Sequence, residues 1–145
     1  MIRKVSFFAI LLSIFVQNSY AQDLSREQYN WMLNCQGCHG AEGKVAAIDT
    51  PVINDSVGRF LNVEGGREYL VSVPGVVNAP ISDKDKADLM TWIINSFDPD
   101  HKPNDFKPFT EEEMTWGKNN PLRTRAADKR LELLEYLKVF ESGDD

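Results

Sequence analysis

Residues 34–44 read NCQGCHGAEGK. Cys35 and Cys38 stand two residues apart, and His39 follows the second cysteine directly. A Cys-x-x-Cys pair can be a redox couple, half of a zinc site or the anchor of a porphyrin, and each asks something different of the rest of the chain. These are the only two cysteines in 145 residues. A disulfide between such near neighbours closes a tiny loop and restrains little of the unfolded chain, so a structural staple is a poor reading. A thioredoxin-like pair wants a strand before the motif and a βαβ pattern around it, and neither is visible. A zinc site needs a second pair of ligands at finger-like spacing, yet the only other histidine is His101.

What remains is Cys-x-x-Cys-His as the signature of c-type haem attachment. On a helix, Cys35, Cys38 and His39 sit at i, i+3 and i+4 and project from one face. Two thiols so placed can add to the two vinyl groups along one haem edge while the imidazole swings beneath the iron. The expected cofactor is one covalently bound haem c, with Cys35, Cys38 and His39 as its binding residues.

The segment before the motif fits that role. LSREQYNWMLNCQGCH, residues 24–39, reads as an amphipathic helix that begins on a capping box, Ser25 with Gln28. Trp31 lies one turn before Cys35 and has two readings, packing at the haem edge or packing against another helix. Gly40 and Gly43 permit a tight turn after His39.

The chain opens with Arg3 and Lys4, an apolar run from Val5 to Val16, and Ser19-Tyr20-Ala21 as a small-x-small cleavage site. That is the layout of a secretory signal peptide over residues 1–21. The alternative is an uncleaved anchor, although the run falls short of the about 20 apolar residues that span a bilayer comfortably. Export to the periplasm is therefore expected, with no membrane association once the leader is gone. The net charge is −6, and losing the leader removes two basic residues and no acidic one. Such a chain should avoid nucleic acid and favour basic faces on partner proteins.

Residues 49–62, DTPVINDSVGRFLN, read as an irregular wrap, and residues 65–75, GGREYLVSVPG, as a short helix ended by Pro74-Gly75. The clearest helix is ISDKDKADLMTWIINSFDP, residues 81–99. Ser82 is its N-cap, acidic residues fill its first turn, Pro99 closes it, and Ala87, Met90, Ile94 and Phe97 form its apolar stripe. Beyond it, residues 98–109 form a Pro-rich linker, Thr110 and Glu113 a second capping box, and residues 124–141 an amphipathic helix with Leu131, Leu134 and Leu137 along one side. Arg123 to Arg130 reads as a solvated basic face rather than a binding patch. Two roles are open for this tail, packing on the preceding domain or docking a partner.

Across residues 24–98 the chain resembles the class I cytochrome c family. The carriers of the resemblance are CQGCHGAEGK at the end of the first helix, then REYLVSVPG, then PISDKDKADLMTWI, which is similar to the family's LSDEEIADLVAYL last helix. The resemblance implies an all-α haem fold over residues 22–98 in which the first and last helices cross, with residues 99–145 as linker and helical extension. It also implies His39 as the proximal iron ligand and a one-electron carrier, not an enzyme, served by donor and acceptor proteins. One departure is plain. Val73 stands where the family supplies a distal methionine, and valine cannot ligate iron. The sixth position then falls to His101, to Met90 or Met114, or to no side chain. An open iron site that binds a small ligand or peroxide, or a haem-bearing accessory subunit of a dehydrogenase, are the alternative readings of function.

Overall fold

The computed structural model describes residues 23–44 and 50–143. The expected signal peptide lies outside the described residues. Seven α-helices are described, α1 Arg26–Asn34, α2 Gln36–His39, α3 Gly66–Ser72, α4 Pro74–Val77, α5 Asp83–Phe97, α6 Glu111–Asn119 and α7 Ala126–Ser142, together with 3-10 turns at Gly58–Asn62 and Arg123–Arg125. No strand occurs among the described residues, so the expected all-α class holds.

Three helices start where their capping residues predict. Ser25 Oγ accepts the Gln28 N–H while the Gln28 side chain accepts the Ser25 N–H. Thr110 and Glu113 make the same reciprocal pair at α6, and Ser82 Oγ accepts the Asp85 N–H at α5. Each satisfies donors that the first turn would otherwise leave unpaired, worth about 1 kcal/mol per cap.

Helix α1 packs against α5, and aromatic rings fill the contact. Trp31 packs on Phe97 with ring centroids 4.6 Å apart and on Trp92 at 6.2 Å. Trp31 thus packs between the two helices. At the N-terminal ends the Arg26 guanidinium grips the Asp85 carboxylate through two bonds of 2.6 and 2.8 Å. That fork, followed by the Ser82 hydroxyl, holds the Asp85 carboxyl down from 3.8 to about 2. A carboxyl whose folded pKa lies below its unfolded value stabilises the fold above the unfolded value and loses that stabilisation as pH falls through the folded one. Asp85 should therefore make the fold weaken between pH 3.8 and about 2. Because Arg26 is largely exposed the effect is screened and small. Arg26→Ala is expected to flatten that part of a stability profile measured by urea midpoints, and an equal acid dependence in both proteins would refute the assignment.

On the other side of α5 lies α6. Thr91 Oγ1 accepts the Phe109 N–H, and Thr115 donates to Asp83, so residues 83 and 91 of α5 face α6 and its lead-in while residues 85 and 92 face α1. Helix α6 also lies close on α3, where Gly117 permits the approach: a Cβ there would stand 2.2 Å from the Val71 carbonyl oxygen. Arg67 of α3 holds the Glu113 carboxylate and the carbonyls of Lys107 and Pro108, with its guanidinium 4.2 Å from the centre of the Phe109 ring. Burial alone would raise the Glu113 carboxyl, but the Arg67 and Thr110 hydrogen bonds overcome it and keep the group below the usual carboxylate range.

Two local expectations change. Pro74 does not merely end a helix; it is the first residue of α4, where its fixed φ and missing N–H fit the start of a turn. In α7 the buried leucines are Leu133 and Leu137, with Leu134 partly buried, whereas Leu131 is 62% exposed. The tail beyond Pro99 packs on the rest of the chain: α6 on α3 and α5, and α7 on α3 and the 3-10 turn Gly58–Asn62. Phe109, Met114, Leu133 and Leu137 bring it into the common core.

Candidate functional site

The Cys35-to-His39 segment is a turn of helix joined to the end of α1. Cys35 N–H donates to the Trp31 carbonyl at 2.9 Å, and the N–H groups of Cys38 and His39 both donate to the Cys35 carbonyl at 3.1 and 3.0 Å. Both cysteines are free; Cys38 is exposed, while Cys35 is partly buried against the core. Burial, with a smaller push from Cys38, raises the Cys35 thiol to about 11. A thioredoxin-like nucleophile needs the opposite, a thiolate favoured at neutral pH. Cys35 is therefore a protonated thiol, presented with the Cys38 sulfur on one helical turn.

His39 is oriented by a residue that sequence reading treats only as punctuation. Its Nδ1 lies 3.1 Å from the Pro51 carbonyl oxygen. A carbonyl can only accept, so Nδ1 carries the proton and Nε2 keeps its lone pair. Burial lowers the imidazole pKa, and the Pro51 bond opposes that more weakly, so the neutral ring is favoured. The loop that brings Pro51 back is fixed at several points. Gly40 and Gly43 take φ of 74° and 72°, which the tight turn requires and which other residues resist. The Gly43 carbonyl accepts the N–H groups of Ile53 and Asn54, and Asp55 N–H reaches the Phe97 carbonyl at 2.9 Å. Trp31 Nε1–H donates to the Ala41 carbonyl at 3.2 Å, and its ring centre lies 6.2 Å from that of His39. The one sequence signal for Pro51 is a proline twelve residues beyond the histidine.

The residues considered for a sixth iron ligand are not gathered at one place. His101 Nδ1 is paired with the Asp98 carboxylate, and its Nε2 lies 3.3 Å from Arg59 Nη2. Asp98 is 1% exposed and also accepts the Gly58 N–H at 2.7 Å. His101 thus ties the end of α5 to the 3-10 turn Gly58–Asn62, beside a surface cleft of about 340 Å³ that Arg59, Lys102, Phe140 and Glu141 also line. Met90 and Met114 are both buried, in α5 and α6. Val73 sits at the joint of α3 and α4, partly buried against the core. A second cleft, of about 490 Å³, opens between α1 and α5 over Trp31, Met32, Trp92 and Phe97, and neither cysteine nor His39 lines it.

The chain is similar to cytochrome c-552 of Thermus thermophilus, 31% identical over 98 residues that take in 55% of this chain and 75% of that protein. It is equally similar to a second cytochrome c-552, from a named strain of the same organism, 66% of which is covered. No family model matches the chain. No solved structure matches it either.

Proposed function

Because the chain belongs to the c-type cytochromes, we propose that it is an exported one-electron carrier with a single haem c bound through Cys35 and Cys38 and ligated by His39. The observation that carries this reading is the joint placement of two free thiols and a tautomer-fixed imidazole on one helical turn. This donor set fits the group: thioether formation needs two thiols along one edge, and the proximal position needs a neutral imidazole with a free Nε2 lone pair. When haem binds, Cys35 and Cys38 would each hold it by a thioether, the sulfur bonding one vinyl carbon and the thiol hydrogen ending on its neighbour.

The haem supplies the ferric–ferrous couple, and the protein's part is to hold, orient and insulate it. Pro51 fixes the plane and basicity of His39, as outer partners of metal-bound histidines do. Trp31, itself packed on Phe97, sets an apolar ring beside the imidazole. The acidic surface steers encounters with a basic redox partner.

Wild-type protein made in an exporting host that matures c-type haem should keep its haem through acidified organic solvent. Cys35→Ala or Cys38→Ala should each leave one thioether link, read as haem mass on the polypeptide. Complete loss of haem from the wild type would overturn the proposal. Electron exchange with the cognate partner should slow as the Debye length shrinks from about 10 Å at 0.1 M salt to about 3 Å at 1 M. A rate indifferent to salt would remove the electrostatic steering and leave the haem assignment standing.

A further inference from the structure

We propose that His101 is an acid-sensitive latch: its neutral imidazole holds Arg59 in place to grip the end of α7, and protonation of the ring lets that end go. The latch belongs to the tail and stands apart from the haem reading above.

Four side chains from four segments make it. Asp98 caps the end of α5, His101 lies in the linker that follows, Arg59 in the 3-10 turn Gly58–Asn62, and Glu141 in the last turn of α7. The Asp98 carboxylate meets His101 Nδ1 and also accepts the Gly58 N–H at 2.7 Å. His101 Nε2 lies 3.3 Å from Arg59 Nη2, and Arg59 Nη1 donates to Glu141 Oε1 at 3.0 Å. An ionised carboxylate only accepts and a guanidinium only donates, so the ring between them carries its proton on Nδ1 and offers the Nε2 lone pair to Arg59. The ring is neutral in this arrangement. A second proton would go to Nε2, where it sets N–H against N–H and cation against cation.

Arg59 is poised to leave when that happens. Its Nε is buried and finds no hydrogen-bond partner among the described residues, so the closed position leaves one donor unpaired. Its pair with Glu141 is half-exposed and screened by solvent, too weak to hold it against a neighbouring imidazolium. The other charged groups of the cleft do not replace the lost acceptor in place. Lys102 is itself a cation, engaged by Asn95 Oδ1 at 2.5 Å. Asp100 is exposed and offers a freed Arg59 a carboxylate outside the latch.

The end of α7 depends on this tie. Leu137 is the last buried residue of the helix, and residues 138–142 are exposed. Among the described residues, the bond from Arg59 to Glu141 is the one hydrogen bond that joins residues 138–142 to another element; Lys138 and Ser142 bond within α7. Releasing Arg59 therefore frees the last turn and opens the cleft of about 340 Å³ that Leu137, Phe140 and Glu141 line. Imidazole suits this duty as a side-chain class, because it changes charge between about pH 5 and 8, where ordinary carboxylates and guanidinium groups keep theirs.

Hydrogen exchange of the full-length protein tests the latch, read by mass spectrometry on peptides covering residues 134–143 and corrected for the intrinsic pH dependence of exchange. From pH 8 to pH 5 the protection of the last turn should fall about tenfold or more, while peptides from α6 keep theirs within about twofold. His101→Gln retains an amide N–H for Asp98 and a carbonyl for Arg59 but does not titrate, so its last turn should stay protected at both pH values. Glu141→Ala, at an exposed position outside the core, should be poorly protected at both. His39 is unchanged in all three proteins, so the differences between them belong to the latch. Wild-type protection that does not change with pH would overturn the proposal, and so would a fall of the wild-type size in either variant.

Discussion

Gly66→Ala is expected to leave little cooperatively folded protein. A Cβ at residue 66 would lie 1.7 Å from the Phe60 carbonyl oxygen and 2.7 Å from its carbonyl carbon. Both are backbone atoms, so no side-chain rotation relieves the overlap; the 3-10 turn Gly58–Asn62 and α3 would have to separate. That separation disturbs Phe60, Tyr69 and the leucines of α7 that pack there, which places the cost at about 4 kcal/mol or more, in the exceptional range for one substitution. Gly75→Ala is the control, since a Cβ there meets nothing within 4 Å. Urea unfolding should show the first variant shifted far to low denaturant or without a transition, and the second within about 1 kcal/mol of wild type. Equal midpoints in the two variants would refute the close packing.

The second large effect is expected from ending the chain after Pro108. The truncation removes Phe109, Met114, Leu133 and Leu137 from the core and uncovers Val71 and Ile94. Four buried side chains at about 1.5–3 kcal/mol each amount to roughly 6–12 kcal/mol, which is comparable with the whole stability of an ordinary domain. The truncated chain should lose its near-ultraviolet circular dichroism and its sharp urea transition. A truncated protein that unfolds cooperatively near the wild-type midpoint would show that the residues up to Pro108 stand without the tail helices.

The parts of the fold that depend on short-range chemistry are legible in the sequence. Ser25 with Gln28, Thr110 with Glu113, and Ser82 before an acidic turn each fix a helix start through bonds spanning three residues, and all three appear where expected. The Cys35-to-His39 turn is local in the same sense. What the sequence conceals is set by which face a neighbour covers. LELLEYL, residues 131–137, offers two overlapping leucine stripes, and periodicity alone does not choose between them; the direction in which the Arg123–Arg125 turn delivers α7 selects Leu133 and Leu137. His101 reads as a spare imidazole because the sequence cannot show Asp98 buried beside it. Pro51 carries no mark as a partner for His39 for a related reason, since a backbone carbonyl has no residue-type signature.

The grip of Arg26 on Asp85 joins positions 59 residues apart. Closing a flexible loop of that length costs about 3–4 kcal/mol of chain entropy, so α1 cannot acquire its α5 cover until nearly the whole intervening chain exists. The Cys35-to-His39 turn, by contrast, needs only bonds to its immediate neighbours. A chain emerging from its N-terminus therefore presents both thiols on a nascent turn well before the helix that later packs over Trp31 has been made.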